Sequence, residues 1–261
     1  MKQLYVAIVL LLIAITSISQ NTPPNQPAAA PATTANQPAE FRNVRTFTQN
    51  GTLQLPTGTT RIMIEAWGGG GGGSNTGGGG GGAYGKAIVS VADASTVTIS
   101  IGAGGKGGTL QATSGANTNV QFKPSAPGAL GTVFTAAGGT AAGYIVGMGG
   151  AADQGNGGAG AYSPSSTVGY YSMCGQDGET YTDQYQQSGA NTFVVTRSIG
   201  NGGNAGNTQY TGGRGDVVLN PSSPGYKRYG TNGKVPGGGG GGSINQTGGY
   251  KGAAGMVIIS Y

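Results

Sequence analysis

The sequence predicts an all-β protein, in which a small antiparallel β-sandwich carries a large glycine-rich insertion packed as a polyglycine-II or polyproline-II-like bundle. Three observations predict it. Short segments alternate apolar and polar residues, runs of six glycines at 68–73, 77–82 and 237–242 interrupt them, and helical periodicity is absent after residue 20. Ordering a glycine costs roughly 0.5–1 kcal/mol more than ordering an alanine. Such runs are therefore either disordered or packed main chain against main chain.

Strand patterns lie mainly at 44–67, 83–101 and 256–261. The inward-facing candidates are Leu53, Leu55, Ile62, Ile64, Ala66, Ala87, Val89, Val91, Val97, Ile99 and Ile101. Asn50-Gly51 between two extended segments predicts a β-hairpin. Further extended segments are predicted at 132–135, 144–148 and 192–197. We expect the closing segment to pair within a sheet rather than hang free.

The insertion, 68–82 and 102–255, has glycines that recur every third residue. Gly200, Gly203 and Gly206 are one example. Three residues per turn is the repeat of the polyproline-II helix, and such helices without side chains approach closely enough to exchange main-chain hydrogen bonds. Replacement of Gly203 or Gly206 by Val is then expected to destabilise a packed bundle and to leave a disordered loop unaffected. Collagen is excluded because the frame is broken and the chain has only 12 prolines.

The pattern of the first 41 residues predicts a signal for export followed by an extended tether. Lys2, an apolar run at 4–15 and small residues ending at Ser19 are typical of a signal peptide, which assigns residues 1–19 to it. An uncleaved membrane anchor is the alternative, although the apolar run is short for a bilayer. Residues 20–41 are rich in Pro, Ala, Thr and Asn and predict an extended tether. The glycine-rich β domain is then 42–261.

Composition narrows the function. The chain has no histidine, which removes the commonest general base and most zinc chemistry, so we expect no enzyme, no cofactor and no metal. The net charge of +5 comes from scattered basic residues, which argues against nucleic acid as a partner. Cys174 is the single cysteine and cannot form an internal disulfide. It is either a small buried hydrophobe or an exposed thiol that links two chains.

The residues resemble a known family, the glycine-rich domain proteins of bacteria and tailed phages. The resemblance rests on the segment FTQNGTLQLPTG at 47–58, Glu65-Ala66-Trp67 before the first glycine run, Gly85-Lys86-Ala87, Ile101-Gly102-Ala103-Gly104-Gly105, and GMVIISY at 255–261. It implies a small β-sandwich with a glycine-rich insertion. In the receptor-recognising adhesins of T-even-like phages, a comparable region forms a polyglycine-II bundle whose exposed loops choose the host receptor. The predicted signal peptide departs from those adhesins and favours a secreted or surface protein of a cell.

Specificity is expected in the segments that interrupt the glycines, because glycine runs carry no side-chain information. Two predicted loops, 170–187 and 216–236, are rich in tyrosine, a residue that buries area at low entropic cost and keeps a hydroxyl for hydrogen bonding. The candidate partner-binding residues are Tyr170, Tyr171, Tyr181, Tyr185, Tyr226, Lys227, Arg228 and Tyr229. The alternative is that both segments are only solvated loop tips.

Other motifs are weaker. Asp177, Glu179 and Asp183 fit no EF-hand spacing, and a glycosidase pair among them has no further support. Arg214-Gly215-Asp216 matches the integrin-recognition tripeptide, which is short enough to occur by chance.

The sequence as a whole favours a secreted, non-enzymatic structural or adhesive protein at the cell surface, with a surface protein, a glycan or a second copy as partner. The alternatives are a self-assembling extracellular filament or matrix subunit, a phage-tail-type receptor-binding adhesin and an ice-binding protein.

Overall fold

Antiparallel strands and extended glycine-rich segments alternate along the chain. The computed structural model describes residues 41–109, 111–123, 132–143, 167–189, 192–219, 227–244 and 248–261. Its strands are β1 (Val44–Phe47), β2 (Gly51–Gln54), β3 (Arg61–Trp67), β4 (Tyr84–Ser90), β5 (Thr96–Ser100), β6 (Thr118–Phe122), β7 (Thr132–Ala136), β8 (Thr167–Met173), β9 (Thr182–Gly189), β10 (Thr192–Ser198), β11 (Val217–Leu219), β12 (Lys227–Arg228) and β13 (Met256–Ser260).

Two of the three sheets share one hydrophobic core and form the predicted sandwich. One sheet has the order β1-β13-β3-β4-β8 and the other the order β2-β5-β6-β7, and all their pairings are antiparallel. The core contains Ile62, Ile64 and Ile259 from the first sheet and Phe122 and Phe134 from the second, each at most 1% exposed. Burying alternate side chains of both sheets against one another is what stabilises such a fold.

The predicted inward faces of the strands are confirmed, whereas one predicted strand pairing is wrong. Ten of the eleven inward-facing candidates are buried in the sandwich core, and Ile101 packs against it partly buried. The predicted hairpin around Asn50-Gly51 is wrong, because β1 pairs with β13 and β2 pairs with β5 in the opposite sheet. The side chain of Asn50 instead accepts a hydrogen bond from the amide of Ile101 (2.7 Å). The chain thus crosses between the two sheets at this turn.

The glycine-rich segments form a second body, which we call the glycine bundle. Its segments are 68–74, 77–83, 101–108, 111–117, 137–142, 174–179, 199–206, 211–216, 230–234, 237–243 and 248–255. Their main-chain hydrogen bonds join each segment to several others, both near and distant in sequence, without the ladder pairing of a β-sheet. This arrangement is that of packed polyglycine-II helices, and it confirms the predicted bundle.

Segment 68–74 lies in the interior of the bundle. Its successive amides donate to three different segments: Gly70 to Ala253 (2.9 Å), Gly71 to Gly80 (2.8 Å) and Gly72 to Thr113 (3.0 Å). Its carbonyls accept from three more: Gly69 from Gly139 (2.8 Å), Gly70 from Gly105 (2.8 Å) and Gly71 from Gly240 (2.9 Å). The same partners recur three residues later. Six surrounding segments and a three-residue period are the expected result of hexagonal packing of three-fold helices.

Close approach of these main chains requires glycine at interior positions. A Cβ atom added to Gly71 would lie closer than 3.0 Å to the carbonyl oxygen of Thr140, and one added to Gly240 would lie as close to that of Tyr250. The obstructing atoms belong to main chains that other hydrogen bonds hold in place. The glycine runs are therefore the packing material of the bundle and not its linkers.

Polar side chains at three-residue spacing complete the hydrogen bonding at the bundle surface. Asn201 and Asn204 are one turn apart on segment 199–206. Their side-chain oxygens accept from the amides of Gly215 (3.0 Å) and Gly212 (2.9 Å). A main-chain amide that has no main-chain acceptor at the bundle surface thus donates to a side chain instead. This is expected because an unpaired buried amide costs free energy.

The bundle has two ends. Strand β3 continues directly into segment 68–74, and segment 77–83 continues directly into strand β4. The end of the bundle near Trp67 and Tyr84 therefore adjoins the sandwich, and we call it the junction end. The segments 68–74 and 77–83 turn back on each other at 74–77, which marks the far end. At this end Thr180, two residues before β9, forms an isolated antiparallel β-bridge with Gly77. The third sheet, β12-β11-β10-β9, therefore lies at the far end, and we call it the distal sheet.

Strands interrupt the region that the sequence delineated as glycine-rich insertion. β6, β7 and β8 lie within 102–255 but belong to the sandwich sheets, and β9–β12 belong to the distal sheet. The extended segments predicted at 132–135 and 192–197 are confirmed as β7 and β10. The one predicted at 144–148 lies outside the described residues.

Candidate binding surface

The distal sheet carries several of the predicted partner-binding residues on one face. Residues paired across neighbouring strands project from the same face, as do residues two apart in one strand. Tyr185 lies two residues after Asp183, which pairs with Arg197, and Arg197 and Lys227 both pair with Val218. Tyr185 is 69% exposed, and Lys227 is also exposed. We call this surface the distal face.

An ion pair orders the centre of the distal face. Arg197 donates from Nε and Nη2 to the two carboxylate oxygens of Asp183, at 2.8 and 2.7 Å, and its guanidinium lies 5.6 Å from the centre of the Tyr181 ring. The hydrogen bonds from Arg197 lower the pKa of Asp183 below its ordinary value, and those to Asp183 raise the pKa of Arg197. A bidentate pair fixes both side chains, so Tyr181 is held against a rigid plane.

The other described candidates lie partly in the sandwich and partly in or beside the distal sheet. Tyr170 and Tyr171 lie in β8, an edge strand of the sandwich, where the ring of Tyr171 packs edge-on against Tyr84 at 6.1 Å. Tyr229 follows β12 and is 66% exposed. Arg228 lies in β12, and Tyr226 lies outside the described residues.

The interpretation of residues 170–187 as one loop is wrong. The segment contains the end of β8, the bundle segment 174–179 and most of β9. It therefore runs from the sandwich along the whole bundle to the distal sheet. Tyr170 and Tyr171 are consequently separated from Tyr181 and Tyr185 by the length of the bundle.

Asp183 lies apart from the other two carboxylates of this segment, Asp177 and Glu179, which both line the side of the bundle. Asp183 pairs with Arg197 in the distal sheet, whereas Glu179 accepts a hydrogen bond from the Asn201 side chain (2.7 Å) on the bundle surface. Within the described ranges, no cluster of three His, Cys, Asp or Glu side chains has the geometry to hold a metal ion.

Asp216 has a structural role at the far end of the bundle. It is 2% exposed, and its carboxylate accepts hydrogen bonds from the Gly230 and Ile244 amides and from the hydroxyls of Ser243 and Tyr250, at 2.6 to 2.9 Å. The tripeptide Arg214-Gly215-Asp216 therefore does not present its carboxylate to a receptor. Burial, together with the hydrogen bond to Asp216, raises the pKa of Tyr250 to about 12.

Cys174 is exposed at the surface and is a free thiol. The reading of this residue as a buried hydrophobe is therefore wrong. The reading as a thiol that links two chains stays a prediction.

A groove on the side of the bundle was not predicted from the sequence. It has a volume of about 520 Å³ and extends from Tyr210 near the junction end to Glu179 near the far end. Its lining residues are separated in sequence by glycine segments that look alike. The only local signal was the polar residues at three-residue spacing, and these indicate a bundle surface without indicating which segments meet there.

The fold and this surface define a class of protein: an all-β domain in which a polyglycine-II bundle joins a β-sandwich to a small sheet with an exposed aromatic face. A family model described as a glycine-rich domain matches residues 46–261, and the chain belongs to that family. A search of curated proteins finds no match. In the part of the chain that the structure describes, no helix is long and apolar enough to span a membrane.

Proposed function

We propose that this protein is an exported, non-enzymatic adhesive protein that presents the distal face to a partner on a cell surface. The observation that carries the proposal is the placement of Tyr181, Tyr185 and Tyr229, all at least 43% exposed, in or beside one sheet at the far end of the bundle. Exposed aromatic residues together with an arginine are the residue types that dominate binding energy at interfaces.

The glycine bundle supports this function mechanically. Its interior main-chain hydrogen bonds tie the segments that adjoin β9, β10 and β11 in sequence to one another and to the sandwich. A rigid support reduces the ordering cost of binding. In the tailed-phage adhesins that the sequence resembles, a comparable bundle carries the loops that choose the receptor.

Binding of the purified protein to intact cells and to a glycan array tests the proposal. The double substitution Tyr185→Ser and Tyr229→Ser is expected to weaken binding by about tenfold or more. The matched control is Tyr170→Ser, which removes a 47% exposed tyrosine from the sandwich instead. Equal binding by the distal variant and the wild type, or an absence of binding to every surface, contradicts the proposal.

Export follows in the proposal from the predicted signal peptide at 1–19, with 20–41 as the tether. N-terminal sequencing of protein recovered from the medium or cell surface tests this part. A mature chain that begins at Gln20 is the expected result, and a chain that retains Met1 contradicts it.

Self-assembly is a second candidate, favoured by the edge of the distal sheet. β9 is eight residues long, pairs with β10 alone among the described strands, and its sequence TDQYQQSG contains neither lysine nor proline. Edge strands without such protective residues pair readily with another copy. Light scattering at rising concentration is expected to show assembly that Gln184→Lys with Gln186→Lys abolishes. Monomers at every concentration contradict this candidate.

A further inference from the structure

The groove on the side of the bundle lies along segment 199–206, whose outer side has no neighbouring segment among the described residues. Segment 199–206 hydrogen-bonds to 77–83, 174–179, 211–216 and 237–243. Its outer side carries the side chains of Asn201 and Asn204, which bridge the two flanking segments, instead of a further described segment. The lining residues come from segment 199–206 and from the segments on either side of it, so the groove follows the course of an extended chain and suits an extended polymer.

The lining of the groove is polar and has no excess of either charge. One wall contributes Asp177 and Glu179, and the other contributes Arg214 and Lys234, so the formal charges balance. Such a lining does not favour a lipid, because aliphatic side chains do not line it, or a polyanion, because its basic residues are matched by acidic ones. It suits a neutral ligand that offers many donors and acceptors.

The floor of the groove repeats along its length. Asn201 and Asn204 donate to the side chains of Glu179 (2.7 Å) and Gln176 (2.8 Å), so each turn of the bundle presents one amide and one acceptor side chain. One turn of a three-fold extended helix measures about 9.3 Å. That period is comparable to the length of a disaccharide and matches a polymer of sugar rings better than a compact ligand.

Tyr210 supplies an aromatic platform at the junction end of the groove. It is 82% exposed and has a φ of 61°, in the left-handed region that residues other than glycine rarely occupy. A bulky residue in this conformation carries a conformational cost, which is characteristic of functional positions. It lines the groove and most of its surface is exposed, so the ring is accessible to the C–H face of a pyranose ring.

We propose that this groove binds a neutral polysaccharide chain, which lies along the bundle axis, hydrogen-bonds to the Asn, Gln and charged side chains of the walls and stacks a sugar ring on Tyr210. The groove is separate from the distal face, so the two sites are testable independently. The proposal adds a glycan contact on the flank of the protein to the proposed contact at its far end.

Affinity electrophoresis of the purified protein tests this inference. Native gels contain a β-glucan, a mannan or a galactan as neutral probes, and polygalacturonate or a proline-rich peptide as alternatives. We expect retardation by at least one neutral polysaccharide. Tyr210→Gly is expected to weaken that binding by about tenfold. Tyr210→Phe, which keeps the ring, is expected to retain most of it.

The variants are chosen so that misfolding does not imitate loss of binding. Glycine is favoured at a φ of 61°, so Tyr210→Gly relieves strain and is expected to leave the melting temperature unchanged or higher. Tyr229→Ser on the distal side is the matched control and should bind the polysaccharide normally. No retardation by any neutral probe, stronger binding of polygalacturonate or the peptide, or full binding by Tyr210→Gly overturns the proposal.

Discussion

The indole N–H of Trp67 donates a hydrogen bond to the carbonyl oxygen of Gly206 at 3.0 Å, across 139 positions of sequence. Trp67 ends a strand of the sandwich, and Gly206 ends a segment of the bundle at the junction end. The ring of Trp67 also packs against Tyr84 at 4.8 Å, and the Tyr84 hydroxyl donates to Glu65 (2.7 Å). The contact therefore couples the two bodies.

Trp67→Phe is expected to destabilise the protein by about 2–4 kcal/mol, because the buried carbonyl of Gly206 loses its partner and part of the ring volume is lost. Chemical denaturation followed by circular dichroism measures the change. Tyr171→Phe, which keeps the ring and removes only the hydroxyl of a 52% exposed tyrosine, is the control. A loss no larger than that of the control would show that the junction contact does not couple the two bodies.

Gly71→Ala is expected to destabilise the protein by about 3 kcal/mol or more, because the new methyl group meets a main-chain oxygen in the bundle interior. Gly169→Ala is the control, since nothing lies within 4 Å of its added Cβ. Thermal unfolding of both variants decides the matter. Equal melting temperatures would contradict a packed bundle and favour a loose glycine-rich loop.

Asn204→Ala is expected to cost about 1 kcal/mol, because the Gly212 amide then loses its acceptor and Gln176 loses its donor. Hydrogen exchange should show faster exchange of the Gly212 amide and little change at Gly71 in the interior. Gln184→Ala, at an exposed position of the distal sheet, serves as the control. Unchanged protection of Gly212 would remove the role given to the asparagine side chains.

Asp216→Asn is expected to destabilise the protein by about 2–3 kcal/mol. Each carboxylate oxygen of Asp216 accepts two hydrogen bonds, and the variant replaces one of these oxygens by an NH₂ group that cannot accept them. Denaturant unfolding measures this loss, with Asp93→Asn at an exposed turn as the control. Because the carboxylate is buried, the variant should bind cells as the wild type does once folded. Loss of cell binding by a stably folded variant would restore the integrin-type reading.

The raised pKa of Tyr250 leads us to expect a loss of folding stability in strong alkali. Its pKa of about 12 in the folded protein exceeds the ordinary value of 10.0, so the folded state keeps the proton more tightly than the unfolded state. The resulting stabilisation is fully present below pH 10 and is lost as the pH rises from 10 through 12. Unfolding measured against pH should show a shallower decline in Tyr250→Phe than in Tyr229→Phe. Identical profiles would contradict this assignment.

The sequence predicted the strands of the sandwich better than their partners. Alternation placed Ile62, Ile64 and Val97 inward correctly because burial on one face of a strand leaves a direct two-residue pattern. The Asn50-Gly51 turn misled because turn chemistry does not encode whether the next strand pairs locally or joins the opposite sheet. The richness in tyrosine was evident from the sequence. Which tyrosines lie in the sandwich and which in the distal sheet was not, because it depends on segment 174–179 spanning the bundle between β8 and β9.

By itself, the sequence determined that the chain is all-β and that its glycines recur every third residue, since both properties are local patterns of residue type. Only the tertiary structure decided which segments are neighbours, which asparagines complete their hydrogen bonds and where the groove and distal face lie. The physical reason is that one bare main chain offers the same donors and acceptors as any other. The strands that enter and leave each glycine segment, with their specific side chains, set its place in the bundle.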